Sequence, residues 1–196
     1  AGFDKSGQFV QSLEKLHFSF IEVGTVTPLP QAGNPKPRLF RLPAQRALIN
    51  RMGFNNEGVE RLAARLSAHT RRGVLGINIG KNKTTPLDQA AQDYQRCFEA
   101  VYALADYVTV NISSPNTQQL RELQQSDFLE TLLITLTQTQ QRLANAQQRW
   151  VPLVIKCSPD ETPDTLKRLA DLALKYKIAG IIATNTTTQR PGLSGV

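Results

Sequence analysis

Five short runs rich in β-branched residues are separated by stretches of helical periodicity. The runs are 20–26 (FIEVGTV), 74–80 (VLGINIG), 107–113 (YVTVNIS), 153–158 (LVIKCS) and 180–185 (GIIATN). This alternation constrains the fold more than any other feature, because parallel strands need a long crossover and a helix is the usual one. The helical stretches are 57–69, 86–105, 127–144 and 163–176. At 127–144, Leu129, Leu132, Leu133 and Leu136 recur at i, i+3, i+4 and i+7 and share one helix face. Leu166, Leu169, Ala170 and Ala173 repeat the pattern further on. Thr85 before Pro86 and Thr162 before Pro163 read as N-caps followed by a proline in the first turn, and Ser126 heads its helix in the same way. A further partial strand is expected at the chain start. The fold class is therefore α/β, with parallel strands packed by helices in one domain.

At 196 residues the chain can bury one sizeable core, and 40% hydrophobic with 20% charged residues is a globular balance. No apolar run approaches the ~18 residues of a membrane span, and no charged-then-apolar leader precedes the first strand. The chain opens AGFDKSG, without methionine and within the expected partial strand, so N-terminal sequence is expected to be missing. Cys97 and Cys157 lie in apolar runs without metal spacing and read as reduced core thiols. His17 and His69 pair with no nucleophile or ligand cluster, and no metal site is expected. The net charge of +7 is concentrated: between Glu22 and Glu57 there is no acid, but there are Lys36, Arg38, Arg41, Arg46 and Arg51. Set in the Pro-rich TPLPQAGNPKPRLFRLP with few aromatics, this run suits the rim of an anion pocket as well as a phosphate-tracking groove.

The ends of the strands carry the chemistry. Parallel strands present functional residues at their carboxyl ends. Asn78 closes one, Asn111 to Asn116 another, Lys156 a third and Thr184–Asn185–Thr186 a fourth. A polar residue at one strand end needs no reason beyond capping the next helix. Amides, hydroxyls and a lysine at four successive ends converge on one rim and mark a site. That rim has no histidine base, carboxylate pair or metal cluster. Asn and Thr suit the edge of a polar heterocycle, while Lys5 and Lys156 can hold a carboxylate, a phosphate or a reduced anionic ring. Such a protein orients and charges a site while a cofactor supplies the chemistry. The absence of G-x-G-x-x-G disfavours a nicotinamide-type crevice.

The segments AGFDKSG, EVGTVTPLPQAGNPKPRLFRL, INRMGFNNEG, GINIGKNK, DYVTVNISSPNT, VIKCSPD and IIATNTT together resemble, in order, the motifs of dihydroorotate dehydrogenases. The resemblance runs through essentially the whole chain. It implies an FMN-containing (β/α)8 barrel over 1–196, with about six of its strands in this chain and the C-terminal part of the barrel missing. It also implies oxidation of dihydroorotate to orotate in pyrimidine synthesis. Ser114, where one branch of the family carries cysteine, and the NPKPRLFRL region resemble the quinone-dependent branch. That branch has an N-terminal helical extension, absent here, which meets the membrane. The expectation is peripheral association with the cytoplasmic side of the inner membrane and ubiquinone or menaquinone as partner, without nucleic acid.

By matching position, Ala1, Gly2, Asp4, Lys5, Thr25, Asn78, Asn111, Lys156, Thr184 and Gly195 resemble FMN contacts. Lys5, the turn Asn50, Arg51, Met52, Gly53 and Phe54, and Asn111, Asn116, Asn185 and Thr186 resemble substrate contacts. Ser114 resembles the base, with Thr117 and Phe54 lining its proton exit. Strand alternation alone favours Ser113, which shares a face with Asn111; Pro115 breaks that register, and the resemblance selects Ser114. The implied reaction removes a proton from C5 of the substrate and a hydride from C6. The chain departs from the family pattern between TNTT and GLSG, where only Thr188 to Pro191 intervene. Two other readings are weighed: another FMN barrel enzyme, such as a dihydropyrimidine or dihydrouridine reductase, and a basic nucleic-acid-binding module.

Overall fold

The computed structural model describes residues 2–68, 70, 72–116, 120 and 127–190. In chain order the described elements are α1 (Val10–Glu14), β1 (Phe20–Val26), β2 (Leu39–Leu42), β3 (Ala47–Asn50), α2 (Val59–Ser67), β4 (Val74–Ile79), a 3-10 turn (Leu87–Gln89), α3 (Ala90–Val101), β5 (Tyr107–Asn111), α4 (Phe128–Gln147), β6 (Leu153–Lys156), α5 (Pro163–Lys175) and β7 (Gly180–Ile182). The sheet order is β1-β4-β5-β6-β7, with every pairing parallel. Each strand thus lies beside the next parallel strand in the chain. A doubly wound sheet would reverse its order at a switch point, whereas one-way progression is part of a (β/α)8 barrel.

The partial strand expected at the start is a correction. Residues 3–9 are bends leading into α1, and five parallel strands are described where about six were expected. The Asp4 carboxylate accepts the N–H of Gln8 at 3.0 Å and of Phe9 at 2.8 Å, which curls the segment back on itself. An extended backbone would carry those donors away. A second difference is the antiparallel hairpin of β2 and β3, four residues a side, inside the basic Pro-rich region. Thr162 caps α5 as expected, its Oγ1 accepting from Thr165 N at 3.2 Å. Thr85 does not cap. Pro86 is extended at φ −60°, ψ 159°, so the chain turns helical only afterwards, first as 3-10 and then as α3. Ser126 lies outside the described residues.

Alternation along the strands separates two faces. Leu75, Ile77 and Ile79 of β4, Val108 and Val110 of β5, and Leu153 and Ile155 of β6 join one buried cluster with helix side chains. The helices supply Leu62 from α2, Tyr94, Phe98 and Val101 from α3, and Leu129, Leu132, Leu133 and Leu136 from α4. Each such fully buried side chain contributes roughly 1.5–3 kcal/mol, so this layer carries the stability of the sheet. The intervening residues Glu22, Asn78, Tyr107 and Thr109 bond one another on the opposite face, and Asn111 joins them through Thr25. The helix-covered face makes the core, and the other is left for polar chemistry.

Candidate functional site

One break in alternation builds the centre of the site. Glu22 faces the polar side of β1, so strict alternation would turn Thr25 toward the helices with Ile21 and Val23. The β1–β4 register shifts between Gly24 and Val26. This bulge turns Thr25 to the polar side, where bulges commonly re-aim a side chain. Only glycine fits at its centre. Gly24 has φ +104°, and a Cβ there would meet the Asn78 carbonyl oxygen at 2.3 Å. The chain start is pinned to the same spot, with Gly2 N donating to Gly24 O at 2.7 Å and Gly24 N to Asp4 O at 2.9 Å.

From the bulge a hydrogen-bonded chain crosses the strand ends. Thr25 Oγ1 donates to Asn78 Oδ1 at 2.6 Å, and Asn111 Nδ2 donates to Thr25 Oγ1 at 3.0 Å. Asn185 Nδ2 donates to Asn111 Oδ1 at 3.3 Å and to Ser113 Oγ at 3.1 Å. Behind β5, the buried Tyr94 hydroxyl of α3 donates to the Asn111 carbonyl at 2.7 Å. Burial pushes the Tyr94 pKa far up, with Cys97 and Asp93 adding to it, so that hydroxyl remains a donor. Sequence reasoning missed Tyr94, which periodicity alone counts as one more core aromatic.

The turn after β3 forms the facing wall. Gly53 and Phe54 both have positive φ, +70° and +53°. A Cβ on Gly53 would lie 2.8 Å from Asn34 Cγ, so the turn packs tightly on the preceding loop. Its carbonyls are held by Asn34 N on Met52 O (3.0 Å), Gln31 Nε2 on Gly53 O (3.0 Å) and Asn56 Nδ2 on Phe54 O (2.7 Å). Asn116 Nδ2 reaches across to Asn50 Oδ1 at 3.2 Å and ties the turn to the segment after β5.

Between these walls lies a cavity of about 490 Å³. It is lined by Gly2, Lys5, Thr25, Asn50, Met52, Gly53, Phe54, Asn111, Ser114, Asn116, Lys156, Thr184, Asn185 and Thr186, together with Phe3, Leu39 and Leu48. Three residues expected at the site do not line it. Asp4 holds the N-terminal bend; Asn78 is fully buried one layer below; Arg51 donates to Pro37 O at 3.0 and 2.9 Å and lies over the Phe40 ring. Ala1, Thr117 and Gly195 lie outside the described residues. Ser113 is fully buried against Asn111 and Asn185, while Ser114 faces the cavity, its Oγ accepting Asn116 N at 3.3 Å. Strand alternation had favoured Ser113; the chain turns at Pro115 and exposes its neighbour instead.

Two cations face this space. The Lys5 pKa is lowered, mainly by burial and further by the Arg38 charge. Lys156 lines both this cavity and a second one of about 600 Å³ with Phe20, Glu22, Tyr107 and Val154. Glu22 is the other residue that sequence reasoning missed; its signal was a lone carboxylate in an apolar strand. It accepts from Asn78 Nδ2 at 3.0 Å, Thr109 Oγ1 at 2.7 Å and Tyr107 OH at 3.2 Å. Burial alone would raise its pKa. The donors on Thr109 and Asn78 and the Lys156 ammonium act the other way and favour the carboxylate. Of the five bases in the acid-free run, Arg38 and Arg51 are turned onto loop carbonyls, so the run is partly scaffold. The arrangement suits a planar polar ligand with anionic character, held by neutral amides and two lysines.

A sequence model described as dihydroorotate dehydrogenase matches residues 1–195. A Legionella pneumophila (strain Corby) protein named dihydroorotate dehydrogenase (quinone) is 59% identical over 190 residues, 97% of this chain and 57% of that protein. An Aromatoleum aromaticum protein of the same name is 55% identical over 196 residues, 100% of this chain and 56% of that protein. A crystal structure of DHODH from Eimeria tenella in complex with ferulenol superposes with a TM-score of 0.90 at 40% identity, covering 97% of this chain and 56% of that one. The chain spans a little over half the length of the curated relatives it matches. With the strand order, the polar rim and a match over nearly every residue in agreement, this chain belongs to the dihydroorotate dehydrogenase family.

Proposed function

We propose that the protein carrying this chain oxidises dihydroorotate to orotate with FMN as cofactor and ubiquinone or menaquinone as electron acceptor. The observation that carries the reading is the cavity itself. Asn111, Asn116 and Asn185 offer amides, Lys5 and Lys156 offer positive charge, and Ser114 faces the same space. The donor set fits the flavin: neutral amides match the edge of a heterocycle, and Lys156 at the end of β6 supplies a cation for a ring that gains negative charge. Lys5, Thr25, Asn111, Lys156 and Thr184 would hold it, with Gly2 allowing close backbone approach. Bound FMN supplies acceptance of a hydride equivalent from the substrate.

The chain's own residues do the rest. Lys5 and the amides of Asn50, Asn116 and Asn185 orient the carboxylate and ring of dihydroorotate between the two walls. Ser114 Oγ removes the C5 proton. A serine hydroxyl is a weak base and must pass its proton on, and Thr117 is the residue proposed to relay it toward water. Phe54, 6% exposed, lines the same cavity and presents an apolar ring to it. The quinone reading is supported by the names of the relatives. Among the described residues no helix is long and apolar enough to cross a membrane. Membrane contact, proposed as peripheral and on the cytoplasmic side of the inner membrane, would then come from a segment outside this chain.

The test is a visible spectrum of the purified full-length protein under anaerobic conditions. The expected result is a flavin spectrum bleached by dihydroorotate and restored by a quinone. A protein that dihydroorotate leaves oxidised while a reduced pyridine nucleotide bleaches it would overturn the proposal in favour of a reductase.

A further inference from the structure

We infer that Gln31, which lies outside the ligand cavity, is a positioning residue that keeps the peptide between Gly53 and Phe54 turned with its N–H, not its carbonyl oxygen, toward the ligand. The Gly53 carbonyl accepts Gln31 Nε2 at 3.0 Å and no other donor among the described residues. In a trans peptide, as this one is, the C=O and N–H point opposite ways. Gln31 does not line the cavity, whereas Gly53 and Phe54 do. An oxygen drawn to Gln31 therefore leaves the Phe54 N–H on the cavity side. That N–H has no partner among the described residues and is available to a ligand.

The direction of the Gln31 amide is itself fixed. Its Oε1 accepts Lys83 N and Asn82 Nδ2, each at 2.9 Å; a backbone N–H can only donate, so the NH2 end must face Gly53. The Gln31 backbone also exchanges two hydrogen bonds with Asn56, both at 3.0 Å, which roots the side chain beside the turn. Such a lock has work to do, because the alternative is easy to reach. Phe54 has φ +53°, a left-handed conformation that is costly for a bulky residue. Turning the 53–54 peptide over by half a revolution would carry Phe54 φ to the negative side, and glycine at 53 tolerates the matching change. The flanking carbonyls have their own holders, Asn34 N on Met52 O and Asn56 Nδ2 on Phe54 O, and would stay in place. Without Gln31 the turn would keep its path while this one peptide presents an oxygen to an anionic ligand.

The ligand part of this inference rests on the proposed function; the orientation of the peptide does not. The experiment uses full-length protein isotopically labelled on glycine carbonyls and phenylalanine nitrogens, which marks Gly–Phe peptides. It reads the Phe54 amide signal by NMR, assigned by its loss in Phe54→Leu, together with orotate affinity. Gln31→Glu keeps the bonds to Lys83 N and Asn82 Nδ2 and replaces only the donor facing Gly53 O. At about pH 8 its carboxylate repels that oxygen, so the Phe54 signal should move and orotate should bind about tenfold more weakly. Facing a carbonyl raises the new carboxyl's pKa above the usual ~4.3. As pH falls toward about 5 it should protonate and donate to Gly53 O again, restoring the signal and bringing affinity to within about threefold of wild type. The charged groups around Gln31 are Lys83, Arg38 and Asp93, and wild type titrated alongside removes their contribution. Gln31→Met has neither the bond nor the charge. It should show the same loss with no recovery at low pH, which separates the lost bond from simple repulsion of an anion. If Gln31→Met does not fold, Gln31→Ala serves. An unmoved Phe54 signal, a Glu variant that does not recover, or a methionine variant that binds orotate as wild type does would overturn the inference. A protein that dihydroorotate does not bleach would overturn the proposed function alone, with the Phe54 signal still deciding the role of Gln31.

Discussion

Replacing Asn56 by alanine should destabilise the protein by about 3–5 kcal/mol although Asn56 itself does not line the cavity. Asn56 is buried, and its amide bonds the chain at four points. Oδ1 accepts Gly58 N at 2.8 Å and Thr27 N at 3.3 Å; Nδ2 donates to Phe54 O at 2.7 Å and Thr27 Oγ1 at 2.9 Å. The Thr27 hydroxyl keeps partners in Leu29 O and Asn82 Nδ2 after the change. Three buried backbone groups, on Gly58, Thr27 and Phe54, lose theirs. An unsatisfied buried group costs about 1–3 kcal/mol, and the long Thr27 contact belongs at the low end. The sum is a large fraction of a typical native stability of 5–15 kcal/mol. Urea unfolding of the full-length protein would show the loss as a lower midpoint at unchanged slope. Because Asn56 holds the Phe54 carbonyl, orotate affinity should fall as well. Asn56→Asp sharpens the test. One carboxylate oxygen would replace the donor facing Phe54 O, raising that aspartate's pKa in the folded state. Its folded form would then bind a proton more tightly than the unfolded chain, so stability should fall as pH rises through that pKa and recover below it. A loss under about 1 kcal/mol for Asn56→Ala would refute the reasoning and mean that water replaces the amide at no cost.

Ser114→Ala should slow anaerobic flavin reduction by dihydroorotate by roughly 10²–10⁴ while orotate still binds, with Ser113→Ala much closer to wild type; stopped-flow traces in the reverse order would sink the assignment. Ser114→Cys should keep more activity than alanine and shift its pH profile downward, since a free thiol ionises near ~8.5. Lys156→Ala should lower the flavin reduction potential and weaken retention of the reduced form by roughly 1.5–3 kcal/mol, the worth of a hydrogen bond to a charged group; an unchanged potential would mean that the lysine only extends to solvent. Lys5 ionises below the ordinary lysine value of 10.5 because burial, and then Arg38, disfavour its charge. In the window between its lowered pKa and 10.5 the unfolded chain holds the proton and the folded one has lost it, so stability rises with pH there. Orotate, which prefers the charged lysine, should bind more weakly across the same window, and Lys5→Met should abolish that pH dependence in a calorimetric titration.

The alternation of β-rich and helical runs was enough to read the parallel sheet, because buried strands and amphipathic helices have different periods and each is written locally. The Thr162–Pro163 cap and the leucine stripe at 129–136 were legible for the same reason: the residues that form them are sequence neighbours. The polar strand ends located the rim. Other features depended on residues far apart in the chain. Thr25 reaches the cavity only because β1 slips register against β4 at a glycine that the Asn78 carbonyl crowds. Ser114 rather than Ser113 faces the cavity because the segment after β5 turns away from strand geometry. Arg51 resembled a substrate contact by its match to the family motif, yet the Pro37 carbonyl claims its guanidinium. The expected strand at the chain start became a bend because Asp4 captures two amides a turn ahead. Glu22 stood in plain view as a charge in an apolar run, but its partners come from β4 and β5, 56 and 85–87 residues along. Local periodicity determines which face of an element is apolar. Which polar groups on the other face meet, and in which direction their protons point, is decided only when the sheet brings distant strands into register.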